Sequence, residues 1–153
     1  MEYKMKRPIL LFIALILSGM VALAQNSDIA GVNDIFEGKV VPRREMKRIS
    51  VQGDRLAGLR LKEFVSVQFQ ADESRLCRIS SIIADTAEKA PAKEIETDGA
   101  KLTYAFITLQ PSTEGLNRYL GYSAKTDGGE YRITVIYFYG SATAAELKDK
   151  LCK

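Results

Sequence analysis

The stretch YRITVIYFY, at positions 131–139, decides the fold of this 153-residue chain. Its side chains alternate with a period of two, with Ile133 and Val135 on one side and Ile136 and Phe138 on the other. This alternation indicates a β-strand. Because both sides are apolar, we expect a central strand that is covered on both faces.

Four further strands are predicted around this one. The sequence Thr-Asp-Gly-Gly at 126–129 is typical of a hairpin turn, since its glycines can adopt positive φ, and it joins 131–139 to a strand at 118–124. Residues 102–109 alternate in the same way. Residues 46–51 and 64–69 predict two more strands upstream, the first with imperfect alternation.

Three helices are predicted from apolar spacing and capping residues. The first runs from a cap at Asp28 to about residue 37, and the second from a cap at Asp72 to about residue 89. The third follows Gly140, and residues 91–100 are predicted as a polar loop. The sequence therefore predicts an α+β fold, a mainly antiparallel sheet of about five strands with helices packed mostly on one face.

The first 24 residues predict a secretory signal peptide. A basic start precedes an apolar run at 9–21, which ends in the small-residue sequence Ala-Leu-Ala at 22–24. We expect cleavage between Ala24 and Gln25; the main alternative is an uncleaved membrane anchor, but the apolar run is short for one. The expected mature chain, 25–153, is a single domain without a transmembrane segment, located in the periplasm or outside the cell.

Composition excludes several chemistries. The chain has no histidine, so it cannot build a catalytic Ser-His-Asp triad, a Cys-His pair or a His-ligated zinc site by itself. The full chain has a net charge of +3, and removing residues 1–24, which carry a net +2, leaves the mature chain near +1. We expect no enzyme activity, no cofactor and no metal site. Glu94, Glu96 and Asp98 lack the spacing of a calcium loop.

A basic segment spans residues 39–62, in which eight lysines and arginines accompany only Glu45 and Asp54. One interpretation is a docking surface for anionic lipid, an acidic glycan or an acidic envelope protein, whereas an exported protein is not expected to meet nucleic acid. The alternative is a solvated edge strand that is protected by its charge. The candidate binding residues are Arg43, Arg44, Lys47 and Arg48.

Two other features are candidates for binding. Asn117 and Arg118 stand at a strand entrance after a turn, which suits either a structural hydrogen-bond clamp or a ligand contact. Six tyrosines cluster in the C-terminal strands and either line a ligand groove or pack the sheet with their hydroxyls at its rim. They are Tyr104, Tyr119, Tyr122, Tyr131, Tyr137 and Tyr139.

The two cysteines, Cys77 and Cys152, form a candidate disulfide, because the expected compartment is oxidising and the count is even. The alternative is two unpaired thiols, with Cys77 at the flank of the second helix. A nucleophilic Cys77 is not expected, since no histidine is present to activate it.

The chain resembles small exported proteins of Bacteroidota that carry a domain of unknown function. The resemblance rests on the export signal, on DIFEG at 34–38, on NRYL at 117–120 and on ITVIY at 133–137 before Gly140. It implies a Gram-negative envelope setting and brings no catalytic residues.

These observations favour a non-enzymatic envelope module that binds a macromolecule or supports envelope structure. The first alternative is a small-ligand carrier that uses the tyrosine-lined sheet. A hydrolase with a serine–lysine or carboxylate site is the second alternative.

Overall fold

The structure is a computed structural model and describes residues 27–151. The predicted signal peptide at 1–24, its cleavage point before Gln25 and the second cysteine, Cys152, lie outside these residues. The predictions made for them, including the disulfide, therefore stay predictions.

The chain forms an antiparallel sheet of six strands in the order β1-β2-β6-β5-β4-β3. The predicted α+β class is confirmed, and the sheet has six strands rather than about five. The strands are β1 Met46–Gln52, β2 Leu61–Ala71, β3 Ala92–Asp98, β4 Lys101–Thr108, β5 Asn117–Asp127 and β6 Glu130–Gly140.

The sixth strand is β3, in the segment that the sequence predicts as a polar loop. Every residue of β3 is exposed, so it has no buried side chains to give it an apolar alternation. Its backbone pairs with β4 from Ala92 opposite Thr108 to Asp98 opposite Lys101. Backbone pairing with β4 thus places this strand at one edge of the sheet, and the Lys148 side chain also binds Glu94 in it.

Three α-helices lie among the described residues: α1 Ala30–Phe36, α2 Glu73–Glu88 and α3 Ala144–Leu151. The predicted cap of α2 is confirmed, because the Asp72 carboxylate accepts a hydrogen bond from the backbone N–H of Arg75 at 2.8 Å. The predicted cap at Asp28 is wrong. Asp28 lies in a short 3₁₀ turn before α1, and its carboxylate binds a distant side chain instead.

The two faces of the sheet carry separate cores. On the first face, which contains Val67 and Val135, apolar residues of the strands pack under α1 and α2. The predicted stripe of α2 is confirmed there, since Leu76, Ile79, Ile83 and Ala87 are all buried. On the second face, Phe106 and Phe138 pack with Leu147 of α3 and with Leu56 of a 3₁₀ segment at Gly53–Leu59.

None of the helices within residues 27–151 is long and apolar enough to cross a membrane.

Candidate functional site

A cleft of about 410 Å³ opens on the first face, where β2 begins and β6 ends. Helix α1 forms one wall through Asn33 and Phe36, together with Ile29 just before the helix, and the sheet forms the floor. The side chains that give the cleft its chemistry are Arg48, Glu63, Ser112, Glu114, Arg118, Tyr137 and Tyr139.

The register of the sheet brings three of these residues into one row. Glu63 of β2 lies opposite Tyr139 of β6, and Tyr139 lies opposite Arg118 of β5. The side chains of residues directly opposite in an antiparallel pair point to the same face, and their Cα atoms lie within about 5.5 Å of each other. A carboxylate, a phenol and a guanidinium therefore lie side by side across the floor of the cleft.

Arg118 is the most constrained residue of the cleft, with a side chain that is only 3% exposed. Its two terminal nitrogens donate to the carboxylate oxygens of Asp28 at 3.1 and 3.0 Å, which is the bidentate arrangement that guanidinium groups favour. It also donates from Nε to the hydroxyl of Tyr137 and from Nη1 to the carbonyl of Gln110, both at 3.1 Å. Arg118 therefore ties the start of the described chain to β5 and β6.

Burial and hydrogen bonding act in opposite directions on this arginine. Burial lowers the pKa of Arg118, but its hydrogen bonds with Asp28 and Tyr137 outweigh burial and raise the pKa overall. Burial is also the main reason that the pKa of Tyr137 is raised, although Arg118 acts in the other direction. At neutral pH the guanidinium is charged and the phenol keeps its proton.

The hydroxyl groups of the two cleft tyrosines, Tyr137 and Tyr139, differ in whether they have an acceptor for their hydrogen. The Tyr137 hydroxyl accepts from Arg118, and no acceptor for its own hydrogen is found among residues 27–151. The Tyr139 hydroxyl lies 3.3 Å from Ser112 Oγ and 3.4 Å from Glu114 Oε2, so its hydrogen has acceptors within the protein. Tyr137 is therefore the phenol that can donate to a molecule in the cleft.

Glu63 supplies the half-buried carboxylate of the cleft. Within the described part of the chain its side chain has no hydrogen bond and no ion pair, whereas Glu37 and Glu114 pair with Lys39 and Lys62. Glu63 and Tyr139 also line a shallower hollow beside the Gly53–Leu59 segment. A ligand can therefore reach the Glu63 carboxylate from two sides, through the cleft and through this hollow.

The four predicted basic binding residues do not form one surface. Arg43 donates from Nε to the carbonyl of Glu37 at 3.1 Å, and Arg44 is exposed in the same 3₁₀ turn. Lys47 and Arg48 are neighbours in β1, so they point to opposite faces. Arg48 alone reaches the cleft, where its Nη1 donates to the carbonyl of Phe36 at 2.7 Å.

The predicted pair Asn117 and Arg118 separates in the same way. Asn117 donates from its side-chain amide to the carbonyl of Ala142 at 3.0 Å, which fastens β5 to the chain before α3. Arg118 is the clamp described above. The prediction of a structural clamp or a ligand contact places both residues correctly at a strand entrance, and the observed contacts are those of a clamp.

The tyrosine cluster is divided between the two faces. Tyr122 and Tyr131 contribute to the first-face core, and Tyr137 and Tyr139 form part of the cleft. Tyr104 and Tyr119 pack on the second face. Only two of the six tyrosines, Tyr137 and Tyr139, therefore line the cleft.

Cys77 is exposed on α2, at the flank that the sequence predicts. In the described part of the chain, no three His, Cys, Asp or Glu side chains are grouped so that they could hold a metal ion.

Sequence reasoning missed Asp28 and Glu63 as parts of this site. The signal for Glu63 is its position in β2: it shares a face with Val65, Val67 and Phe69, which are all buried. A charged residue on the apolar side of a strand predicts a special environment. Asp28 carries no comparable signal, because its partner is 90 residues away.

A family model described as a family of unknown function (DUF6108) matches residues 17–151. No curated protein and no solved structure matches the chain.

Proposed function

We propose that this chain, which belongs to DUF6108, a family of unknown function, is an exported, non-enzymatic protein. Its function is to bind a small polar ligand in the first-face cleft. The observation that carries this proposal is the Tyr137 hydroxyl, which Arg118 fixes at the cleft while leaving its hydrogen without an acceptor among the described residues.

The bonding of Arg118 supports a prepared donor at this position. A guanidinium has five N–H donors, and Asp28, Gln110 and Tyr137 take up at least four of them. Arg118 is therefore suited to orienting Tyr137 rather than to binding the ligand. A fixed donor lowers the entropy cost of binding, because the Tyr137 side chain is already held in place before the ligand binds.

The remaining polar groups define the ligand by its chemistry. It presents a hydrogen-bond acceptor to Tyr137 and an ammonium or another donor to Glu63, a cleft carboxylate that makes no hydrogen bond and no ion pair within the described chain. Ile29, Phe36 and Val65 offer apolar contact between these polar groups. A zwitterionic or amine-bearing small molecule fits this set of groups.

The state of the carboxylates favours binding over catalysis. General acids in hydrolases are carboxyl groups that are held in desolvated surroundings. The side chains of Glu37 and Glu114 are 52% and 63% exposed and are paired with lysines. Glu63 is half-buried, but these two solvated groups leave it without a second desolvated carboxyl group in the cleft to share acid and base roles. Together with the lack of histidine, this argues against hydrolysis at the cleft.

Docking of an anionic lipid, glycan or protein to the basic segment is the less supported function. It needs Arg43, Arg44, Lys47 and Arg48 on one surface, and β1 turns Lys47 and Arg48 to opposite faces. Export itself is proposed from the pattern of residues 1–24.

The test is to purify the protein from the cells that produce it and to identify bound molecules by native mass spectrometry. We expect a small molecule on the wild-type protein. Its occupancy should fall about tenfold in Tyr137→Phe and in Glu63→Gln, since losing one buried polar contact costs about 1–2 kcal/mol.

The matched control is Tyr131→Phe, which removes a hydroxyl from the same strand and the same face outside the cleft. It should keep the ligand. A wild-type protein that carries no small molecule, or equal occupancy in all variants, would contradict the proposal. Conversion of the released ligand on incubation with the protein would contradict its non-enzymatic part.

A further inference from the structure

The two edge strands of the sheet, β1 and β3, share an unusual feature. Among residues 28–149, the large apolar side chains that are exposed are Ile49, at 58%, and Ile95, at 39%. Ile49 lies near the middle of β1, and Ile95 lies near the middle of β3. Both edges therefore offer unpaired backbone groups together with an uncovered apolar side chain.

The two edges carry charges of opposite sign. Strand β1 holds Lys47 and Arg48, whereas β3 holds Glu94, Glu96 and Asp98 against the single cation Lys93. Lys148 binds Glu94, but neither Lys47 nor Glu96 has an ion-pair partner in the described chain. Charge on an edge strand opposes pairing with an edge of the same sign, and it favours pairing with an edge of opposite sign.

The topology allows these edges to meet without a change in orientation. The sheet contains an even number of strands, all antiparallel, so β1 and β3 run in opposite directions. A second copy that is shifted sideways along the sheet places its β1 antiparallel to β3 of the first copy. The first face of one copy then continues as the first face of the next.

One register places Lys47 opposite Glu96, both unpaired within the described chain, on the second face of the sheet. With Lys47 of one copy opposite Glu96 of the next, Ile49 lies opposite Glu94 on the same face. On the other face, Arg48 lies opposite Ile95, and Ser50 lies opposite Lys93. No like charges face each other, and the stem of Arg48 covers Ile95. The irregularity of β3 between Glu96 and Thr97 falls beyond these pairs, so residues 92–96 present a regular edge.

We propose that copies of this protein associate edge to edge, with β1 of one copy pairing with β3 of the next to form a continuous antiparallel sheet. The two surfaces differ, so the contact is head to tail and extends into a chain of copies. Pairing of β1 with β1, or of β3 with β3, brings like charges together at the seam.

Sedimentation velocity of the protein, expressed from its full-length sequence and purified, tests this proposal. We expect the sedimentation coefficient to rise with protein concentration and the rise to weaken at high salt. Lys47→Glu and Glu96→Lys should each raise the dissociation constant about tenfold. An equal mixture of the two variants should associate again, because each seam then joins a glutamate to a lysine.

Lys125→Glu is the control, since it makes the same change of charge on β5, away from both edges. It should associate as the wild type does. A wild-type protein that stays monomeric at every concentration would overturn the proposal. So would weakening by only one of the two edge variants, which would indicate pairing of like edges, and so would a mixture that remains monomeric.

Discussion

At the scale of single residues, Arg118 shows how a buried charge organises a site. A guanidinium without partners in the core would be strongly destabilising, so its position is tolerable only with counter-charge and hydrogen bonds in place. Asp28 supplies the charge, and Gln110 and Tyr137 supply further bonds. The same contacts that stabilise the fold fix the Tyr137 hydroxyl in the cleft.

The charge of Asp28 should therefore matter to stability. We expect Asp28→Asn to lower the free energy of unfolding by about 1–3 kcal/mol, because it removes the negative charge of Asp28 from beside the buried guanidinium. Urea unfolding measures the change. Asp34→Asn is the control: Asp34 pairs with Lys39 in solvent, so its loss should cost less than about 0.5 kcal/mol. Equal losses in the two variants would contradict the clamp.

At the scale of elements, the fold depends on a tight junction between β6, α3 and β2. The carbonyl of Arg60, a residue with φ of 57°, accepts the backbone N–H groups of Ser141 and Ala142 at 2.9 and 3.0 Å. Gly140 lies against this junction, and a β-carbon there would approach the Arg60 carbonyl oxygen to 2.5 Å. Glycine is needed here because backbone meets backbone.

Gly140→Ala should accordingly disturb the junction. We expect it to lower the free energy of unfolding by about 1–3 kcal/mol, since neither backbone can move aside cheaply. Gly121→Ala is the matched control in the neighbouring strand, where the added carbon would lie 3.5 Å from the Phe138 ring. Thermal unfolding of both variants provides the comparison. A larger loss for Gly121→Ala would show that the junction is not the tighter site.

Particular elements show how far sequence predicts this fold. Strands β4, β5 and β6 and helix α2 were predictable, because apolar residues recur in them at the period of the element. Strand β3 was not, since all its side chains are exposed and only its pairing with β4 makes it a strand. Asn117 and Arg118 were predicted as a clamp or contact, whereas the partners of Arg118 were not.

At the scale of the whole molecule, ion pairs connect elements at the end of the sheet opposite the cleft. Lys101, at the start of β4, donates to Glu73 of α2 at 2.7 Å, and Arg132 of β6 pairs with Asp127 of β5 at 2.7 Å. The hydrogen bond from Lys101 lowers the pKa of Glu73. A hydrogen bond from Gln70 and the charge of Arg132 lower the pKa of Asp127.

These two carboxylates should contribute to the acid sensitivity of the whole fold. A carboxyl group whose pKa is lower in the folded state adds stability above its ordinary pKa, and this stability disappears as the pH falls through the folded-state pKa. We expect the free energy of unfolding to decrease as the pH falls below about 4 to 5. The decrease should be smaller in the double variant Glu73→Gln/Asp127→Asn.

Urea unfolding across a pH series, at low and high salt, measures this effect. Glu130→Gln is the control, because Glu130 is exposed on the same hairpin and has no ion pair in the described chain. It should keep the wild-type pH dependence. An unchanged pH dependence in the double variant would contradict the role of the two pairs.

The sequence by itself determined the class of fold and most of its elements, since the period of apolar residues is a local property that survives in any arrangement. Tertiary structure alone decided the order of the strands beyond the predicted hairpin of β5 and β6, which face each helix covers and which side chains meet. Glu63, Arg118 and Tyr137 come from three strands, and strand register brings them to one cleft, where Asp28 reaches Arg118 from the 3₁₀ turn before α1. Their chemistry depends on burial and mutual distance, which arise only when the sheet has formed.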